Sequence, residues 1–285
     1  MIIKKINDRL TAAGVASGFL PFYRMDVKKI NDRLTAARVV SGFLPFYRMD
    51  VWFYIVDGVL IDTGAYATLY NLQFLLQQEK INCAAITHIH EDHTGGGAWL
   101  KNNLKIPVYL PANSIAEAAV KADLPFYRYF VWGKRDGFIA DPMPAFIETE
   151  KFKLDVIATP GHHQDHVVFY EKNNGWLFSG DMYVSRKQQV AMVGENIGEA
   201  IKTLKKIAEL DIDKIFCAHS GIQDKGKEKI KAKLDYFLDL QDKVNALRKE
   251  GLSVEEIAKR LFLKKNFWTF FSGGEWSTLN IIKTI

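Results

Sequence analysis

The apolar positions of this 285-residue chain alternate between a period of two and a period near 3.6. Residues 51–56 (VWFYIV) are aromatic and β-branched, Asp57-Gly58 is a turn pair, and Val59-Leu60-Ile61 returns, which predicts a hairpin. Residues 66–78 place Leu69, Leu72, Leu75 and Leu76 on one helical face. Residues 81–87 read as a buried strand, 97–101 as the start of a short helix, 108–110 as a strand and 114–122 as a helix. Strands over 154–158, 167–170 and 176–179 follow, the last two joined through Asn173-Asn174-Gly175. A helix over 197–210 and a strand over 214–218 complete a strand–helix alternation that predicts a layered α/β fold. Residues 124–143 break the pattern. They read as irregular and hold Phe126, Tyr127, Tyr129, Phe130, Trp132 and Phe138, with Lys134 and Arg135 among them. A pocket wall or lid, and an interface or core-covering flap, are equal readings of that stretch.

The two ends differ from this middle. Residues 4–27 (KKINDRLTAAGVASGFLPFYRMDV) and 28–51 (KKINDRLTAARVVSGFLPFYRMDV) are copies that differ only at Gly14/Arg38 and Ala16/Val40. Stacked-repeat folds need about three or more units, so two copies without continuation read as a tandem duplication of one terminal segment. The second copy runs straight into Trp52 and is expected to be the working one. The first is expected to add an edge strand, to swap with a neighbouring chain, or to pack poorly. At the other end, residues 227–249 read as an amphipathic helix with Ile230, Leu234, Phe237, Val244 and Leu247 inward. Gly251 stops it, and the capping box Ser253-Val254-Glu255-Glu256 opens a second helix that runs to Leu263. Lys225, Lys227, Lys229, Lys231 and Lys233 alternate rather than form one face, and read as a solvated helix start more than as a phosphate site. Trp268, Phe270, Phe271 and Trp276 read as docking the tail on the core rather than stacking bases.

Composition narrows the class only a little. With 48% hydrophobic and 25% charged residues the chain can bury a full core. The net charge of +5 is spread along the chain and permits an anionic substrate without requiring one. Cys83 and Cys217 each lie in an apolar run and read as buried free thiols. No run approaches the roughly 18–20 apolar residues of a membrane span. The N-terminus lacks the apolar region and cleavage site of a secretory signal, so a cytoplasmic protein is expected.

The chemistry is concentrated in Thr87-His88-Ile89-His90-Glu91-Asp92-His93-Thr94-Gly95-Gly96, where three imidazoles and a carboxylate suit a borderline-soft divalent metal. The glycines let the chain turn away from the preceding strand, placing the cluster at a strand's carboxyl end, a common site position in open α/β sheets. All seven histidines, His88, His90, His93, His162, His163, His166 and His219, fall in loops after expected strands, as do Asp92 and Asp181. Strand ends that converge at one rim can gather six or seven ligands, enough for two metals about 3.5–4 Å apart.

The runs H-x-H-x-D-H (88–93), T-P-G-H (159–162), S-G-D (179–181) and A-H-S-G (218–221), in that order and spacing, resemble the metallo-β-lactamase superfamily from Asp62 to about Gly221. The resemblance implies an αββα four-layer sandwich within the α/β class, with metals at one edge between the sheets. It implies two divalent ions: Zn2+ first, with iron or manganese served by the same ligands. His88, His90 and His162 would hold one metal, Asp92, His93 and His219 the other, and Asp181 would bridge. Asp92 would also shuttle a proton, and Asp62 would orient the ligand loop. His166 falls where some members place a substrate-side group or one that supports the ligands from behind, with a plain surface histidine as the equal alternative, while His163 takes no family role and is expected to be exposed. Coordination would lower the pKa of water from 15.7 toward ~7, giving a hydroxide that attacks an electrophilic carbonyl or phosphorus.

An aspartate at 181, where zinc β-lactamases carry cysteine, resembles hydroxyacylglutathione hydrolases (glyoxalase II), lactonases and metal-dependent ribonucleases. His90, where di-iron flavoproteins carry glutamate, disfavours oxygen reduction. The run 159–166 (TPGHHQDH), followed by helix–turn–helix, resembles a branch with a small winged-helix-like C-terminal domain. The implied organisation is an extra copy at 1–27, a catalytic domain at 28–222 and a helical extension at 223–285. The leading expectation is hydrolysis of a small ester, thioester or lactone. Alternatives are a phosphodiesterase or endoribonuclease, a mononuclear iron persulfide dioxygenase and a non-enzymatic nucleic-acid-binding protein. A small-molecule partner is expected ahead of RNA, with no membrane; oligomeric state is left open.

Overall fold

The computed structural model describes residues 5–6, 9–10, 22–44, 47–262 and 267–285. Its strands are β1 (Lys5–Ile6), β2 (Arg9–Leu10), β3 (Phe22–Asn31), β4 (Leu34–Leu44), β5 (Tyr47–Val56), β6 (Val59–Ile61), β7 (Cys83–Ala85), β8 (Val108–Leu110), β9 (Asp141–Pro142), β10 (Phe146–Glu148), β11 (Lys153–Ala158), β12 (Val167–Glu171), β13 (Trp176–Gly180), β14 (Ala191–Met192), β15 (Lys214–Cys217), β16 (Gly221–Asp224) and β17 (Trp276–Ser277). The α-helices are α1 (Leu69–Leu76), α2 (Glu91–Thr94), α3 (Gly97–Trp99), α4 (Ile115–Ala118), α5 (Phe126–Trp132), α6 (Ile197–Ile207), α7 (Gly226–Lys249), α8 (Val254–Leu261), α9 (Phe267–Phe271) and α10 (Thr278–Thr284).

Two sheets carry the molecule. One runs β3-β4-β5-β6-β7-β8-β9, antiparallel to β6 and parallel beyond it. The other runs β10-β11-β12-β13-β15-β16, with β13 and β15 its one parallel pair. Between them lies a core of Tyr54, Phe169, Trp176, Phe178 and Phe216 with aliphatic neighbours. Phe178 and Phe216 stack with centroids 4.7 Å apart, and Tyr54 meets both rings edge-on. The Tyr54 hydroxyl, buried at the centre, donates to the Cys217 carbonyl at 2.8 Å, so its polar end is satisfied. The outer face of the first sheet packs Phe53, Ile55 and Leu60 against Leu72 and Leu75 of α1. The outer face of the second packs Val168 and Leu177 against α6, α7, α8 and α10. The result is the expected α–β–β–α layering.

The junction of the two copies falls inside β3, which pairs Met25 with Val39 and Lys28 with Ala36. Residues 22–27 of the first copy thus lie on an edge strand, one of the three expected outcomes. Apart from the short β1–β2 pair, the rest of that copy lies outside the described residues. Other differences have local causes. The strand expected over 81–87 stops at Ala85 because Thr87 N–H donates to the Asp62 carboxylate, not to a neighbouring strand. The irregular stretch 124–143 contains α5, which ends at Gly133 in a left-handed turn, and β9. The helix over 66–78 begins as a 3-10 turn, and the helix over 114–122 shrinks to α4. The capping box at Ser253 forms as expected, while Leu263 lies outside the described residues. Among the described residues no helix is long and apolar enough to cross a membrane, and Cys83 and Cys217 are buried and free.

Candidate metal centre

The loop after β7 is locked from below. Asp62, directly after β6, takes a left-handed backbone (φ +57°) and buries its side chain beneath the loop. Its Oδ1 accepts from Thr87 N–H at 2.8 Å and from the Thr87 hydroxyl at 3.0 Å. The neighbouring Thr63 hydroxyl donates to the His93 carbonyl at 2.8 Å and accepts from Gly96 N–H at 3.1 Å. Gly95 packs so closely there that a Cβ would stand 2.2 Å from the Tyr66 nitrogen. The glycines of this run therefore serve close backbone approach as well as turning. His93 itself lies in the short helix α2 rather than in open loop.

Each imidazole is aimed by what its outer nitrogen touches. His93 Nδ1 lies 2.9 Å from Asp62 Oδ2, which turns Nε2 inward. His219, after β15, donates from Nδ1 to the Asp50 carbonyl at 2.8 Å. His88 Nδ1 sits 3.0 Å from the Thr87 hydroxyl, and His162 Nδ1 lies 3.5 Å from Glu195 Oε1. Such partners fix which ring nitrogen carries the proton and so which faces the centre.

The inward atoms form groups whose members all lie within 4.8 Å of one another: His88, His90 and His162; Asp92, His93 and His219; and His88, His93 and Asp181. Asp181 stands between the first two, its Oδ2 3.5 Å from His162 Nε2 and 3.1 Å from His219 Nε2. All seven expected ligands thus meet at one rim. His90 Nδ1 faces both His88 Nε2 at 3.0 Å and His162 Nε2 at 3.1 Å. A neutral imidazole has one donor and one acceptor, so these three nitrogens cannot all be satisfied by hydrogen bonds to each other. Nitrogens 2.0–2.1 Å from a tetrahedral ion would be ~3.3 Å apart, close to what is seen. His93 Nε2 and Asp181 Oδ1, buried and 3.5 Å apart, have no hydrogen-bond partner among the described residues.

The charge pattern points the same way. Burial pushes His88 and His90 well toward neutrality, and neighbouring imidazoles add to it. At His93 and His219 burial acts in the same sense but is outweighed by carboxylates, Asp62, Asp92 and Asp181 at the first and Asp181 and Asp92 at the second. The cluster of buried carboxylates demands positive charge at its middle. The residues present therefore fit divalent metal ions.

His166 takes one of its expected places. It is 1% exposed and supports the centre from behind, neither on the substrate side nor at the surface. Its Nε2 accepts from Asp181 N–H at 3.1 Å, and its Nδ1 meets the Thr159 hydroxyl at 2.8 Å. Gly180 makes room for it: a Cβ there would stand 2.7 Å from His166 Nε2. His163 is only part exposed, with Nδ1 2.5 Å from Asp165 Oδ1.

Comparison with known proteins agrees with this geometry. Residues 49–219 match the family model described as the metallo-beta-lactamase superfamily, which is more than half of the chain. The chain belongs to the metallo-beta-lactamase superfamily. Beta-lactamase-like protein 2 homolog of Drosophila melanogaster is 30% identical over 198 residues, 64% of this chain and 59% of that protein. A hydroxyacylglutathione hydrolase of Thiobacillus denitrificans is 33% identical over 133 residues, 46% of this chain and 44% of that one. The chain spans about three fifths or less of the length of these relatives. A metallo-beta-lactamase family protein from Thermus thermophilus shares the fold, with a TM-score of 0.63 and 18% identity over 89% of this chain and 93% of that one.

Above the superfamily's ligand rim lies a cavity of about 520 Å³. His90, Asp92, His162, Asp181 and His219 form its floor. Tyr127, Val131 and Trp132 of α5, and Trp268, Phe271 and Trp276 of the tail, wall it. Trp276 Nε1 donates to the Tyr127 hydroxyl at 3.0 Å, and Tyr127 and Phe271 meet edge to face. The aromatic stretch and the tail are thus one wall, and the tail ladder β14–β17 closes it from the side. Arg128 grips Glu91 with two nitrogens and reaches Glu275 at 3.4 Å, tying α5 to the ligand loop and the tail.

Sequence reasoning misses four groups here. Glu195 and Asp50 sit in segments with no ligand spacing. Arg128 lies in a stretch that reads as irregular, and Lys233 reads as one of the solvated lysines. Only Lys233 leaves a signal, since it follows Ile230 by three and precedes Phe237 by four on the buried stripe.

Proposed function

We propose that the chain is a metal-dependent hydrolase of small esters, thioesters or lactones, working at a dinuclear centre. The observation that carries this is the position of Asp181 between two three-residue groups, 3.5 Å from His162 and 3.1 Å from His219, on the floor of an aromatic cavity. Zinc, or iron or manganese on the same donors, would supply Lewis acidity and acidify water toward neutral pH.

The chain's own groups supply the rest. Asp92 lines the cavity, with Oδ2 3.3 Å from His219 Nε2 and 3.7 Å from His93 Nε2, and can take a proton from attacking water and return it to the leaving group. Asp62 and Glu195 hold the imidazoles at fixed angles. The aromatic wall excludes water from the acyl part of the substrate and orients it. The name of the Thiobacillus denitrificans relative favours a thioester within this class.

The test is elemental analysis of the purified protein together with a panel of thioester, lactone, phosphodiester and single-stranded RNA substrates. Bound divalent metal and thioester or lactone turnover that vanishes in Asp92→Ala are expected. RNA cleavage with thioesters untouched would replace this reading, and no metal even after reconstitution would remove it.

A further inference from the structure

We propose that Lys233 anchors a carboxylate on the substrate, so that the preferred substrate is a carboxylated ester or thioester rather than a neutral one; this rests on the hydrolase reading above. Lys233 is on α7, is 4% exposed, and still lines the cavity beside the metal cluster. Among the described residues its ammonium makes no hydrogen bond or ion pair. Its Nζ rests 5.8 Å from the Tyr183 ring centre and 5.6 Å from that of Phe237. Aromatic faces partly stabilise a cation, yet they leave all three donors of the ammonium unmet. An ammonium that opens on a cavity with no anion beside it is placed to receive one brought in by the substrate.

The carboxylates around Lys233 are already engaged. Glu195 accepts from Met192 N–H at 2.9 Å and Gln188 Nε2 at 2.7 Å and faces His162, while Asp181 belongs to the cluster. Burial lowers the Lys233 ammonium to about 8, against the pull of Glu195 and Asp181. The loop that faces it is held in place, because Tyr236, also on α7, donates to the Gln188 carbonyl at 2.8 Å.

Lys233 is the buried wall cation left without a carboxylate partner among the described residues. Arg128, the other cation deep in the wall, is taken by Glu91 and Glu275. Lys187 is exposed at the mouth. One carboxylate on the substrate therefore matches one ammonium. The aromatic wall then receives the apolar body between the carboxylate and the scissile bond.

The experiment compares two thioesters of similar length, S-phenyl monothioglutarate and S-phenyl thiopentanoate, on the metal-loaded enzyme and on Lys233→Met, Lys233→Gln and Lys233→Arg. Melting curves and metal content check that each variant is folded and loaded. The wild type should prefer the carboxylated thioester by at least about tenfold in kcat/KM, the size expected for losing one partner of a buried charge pair. The ratio should fall toward one in Lys233→Met and Lys233→Gln and recover in part in Lys233→Arg. Binding of 4-phenylbutyrate against 4-phenylbutyramide, read by quenching of tryptophan fluorescence, should show the same ratios. A ratio kept in the neutral variants, an equal loss on both thioesters, or no preference in the wild type overturns the proposal. If neither thioester is hydrolysed, the hydrolase reading is decided by the substrate panel above, and the binding ratio alone decides the role of Lys233.

Discussion

At the metal cluster, every inward side chain arrives just beyond the end of a strand, after β7, β11, β13 and β15, on a short loop or, for Asp92 and His93, on α2. In the cavity wall, the side chains come from α5, the segment 184–192, α7 and the stretch 268–276. The cluster is held by buried hydrogen bonds to backbone and carboxylate, such as Thr87 N–H to Asp62 at 2.8 Å. The wall is held by side chains that meet across the chain, such as Trp276 to Tyr127 at 3.0 Å. A rim fixed by the sheet keeps its chemistry while a wall fixed by tertiary contacts can change, which is how one platform serves many substrates.

The sharpest way to break the cluster alone is Asp181→Ala. It removes the carboxylate between the two groups and leaves the wall untouched. Hydrolysis should fall by more than the ~10–100-fold typical of losing a group that only orients a ligand, and elemental analysis should show less bound metal. Full metal content with full activity in this variant would sink the dinuclear reading. Next in size are Asp62→Asn and Glu195→Gln, which keep volume but change what the outer nitrogens of His93 and His162 meet. Metal affinity, read by competition with a chromophoric chelator, should drop ~10–100-fold. Unchanged affinity in Glu195→Gln would mean that its 3.5 Å approach to His162 is only proximity.

The two regions are not equally legible in the sequence. The cluster can be read because strand-end loops hold their ligands at short, regular spacings, and each of His88, His90, Asp92, His93, His162, Asp181 and His219 meets the others in space. The sandwich can be read because its strands carry continuous apolar runs. The wall can be read only in part: the aromatic stretch 124–143 is legible as a pocket wall or, equally, as an interface or flap, but no local period reports that Tyr127 meets Phe271 across the chain. His166 could be placed near the centre but not on one side of it, because spacing locates a residue near a site and does not say whether it lies above or below. Lys233 is misjudged because its charge outweighs its position on the buried face of α7. The hairpin β3–β4 is obscured by the repeat, whose two copies offer the same residues to both flanks of β4.

A smaller change probes the wall alone. Tyr127→Phe removes the acceptor of Trp276 Nε1 and leaves the ring packing against Phe271. One such hydrogen bond contributes about 0.5–1.5 kcal/mol, so KM for an aromatic thioester should rise up to about tenfold while metal content stays constant. A fall in metal content would show that wall and cluster are coupled, with Arg128 and Glu91 as the connection.

The smallest effect on catalysis is expected from deleting residues 4–27, which joins Ile3 to Lys28 and removes one copy of the repeat. The two copies of Met-Asp-Val flank β4 in different registers: Met25 lies opposite Val39, whereas on the other side Val51 does. Among the described residues only the second copy reaches the site, through the Asp50 carbonyl that holds His219 Nδ1 at 2.8 Å. The deletion spares that contact and the whole of β4 and β5. It removes Met25, which is 2% exposed against the first sheet, and burial of such a side chain contributes about 1.5–3 kcal/mol. Part of that loss is offset if Met1 and Ile3, which then fall at the positions of Met25 and Val27, pack along β4. The deletion variant should therefore melt at a lower temperature while kcat/KM stays within roughly twofold, as expected for a change with no shared partners at the site. Loss of hydrolysis with metal content retained would show that the first copy acts on the wall, making the edge strand part of the functional half of the molecule.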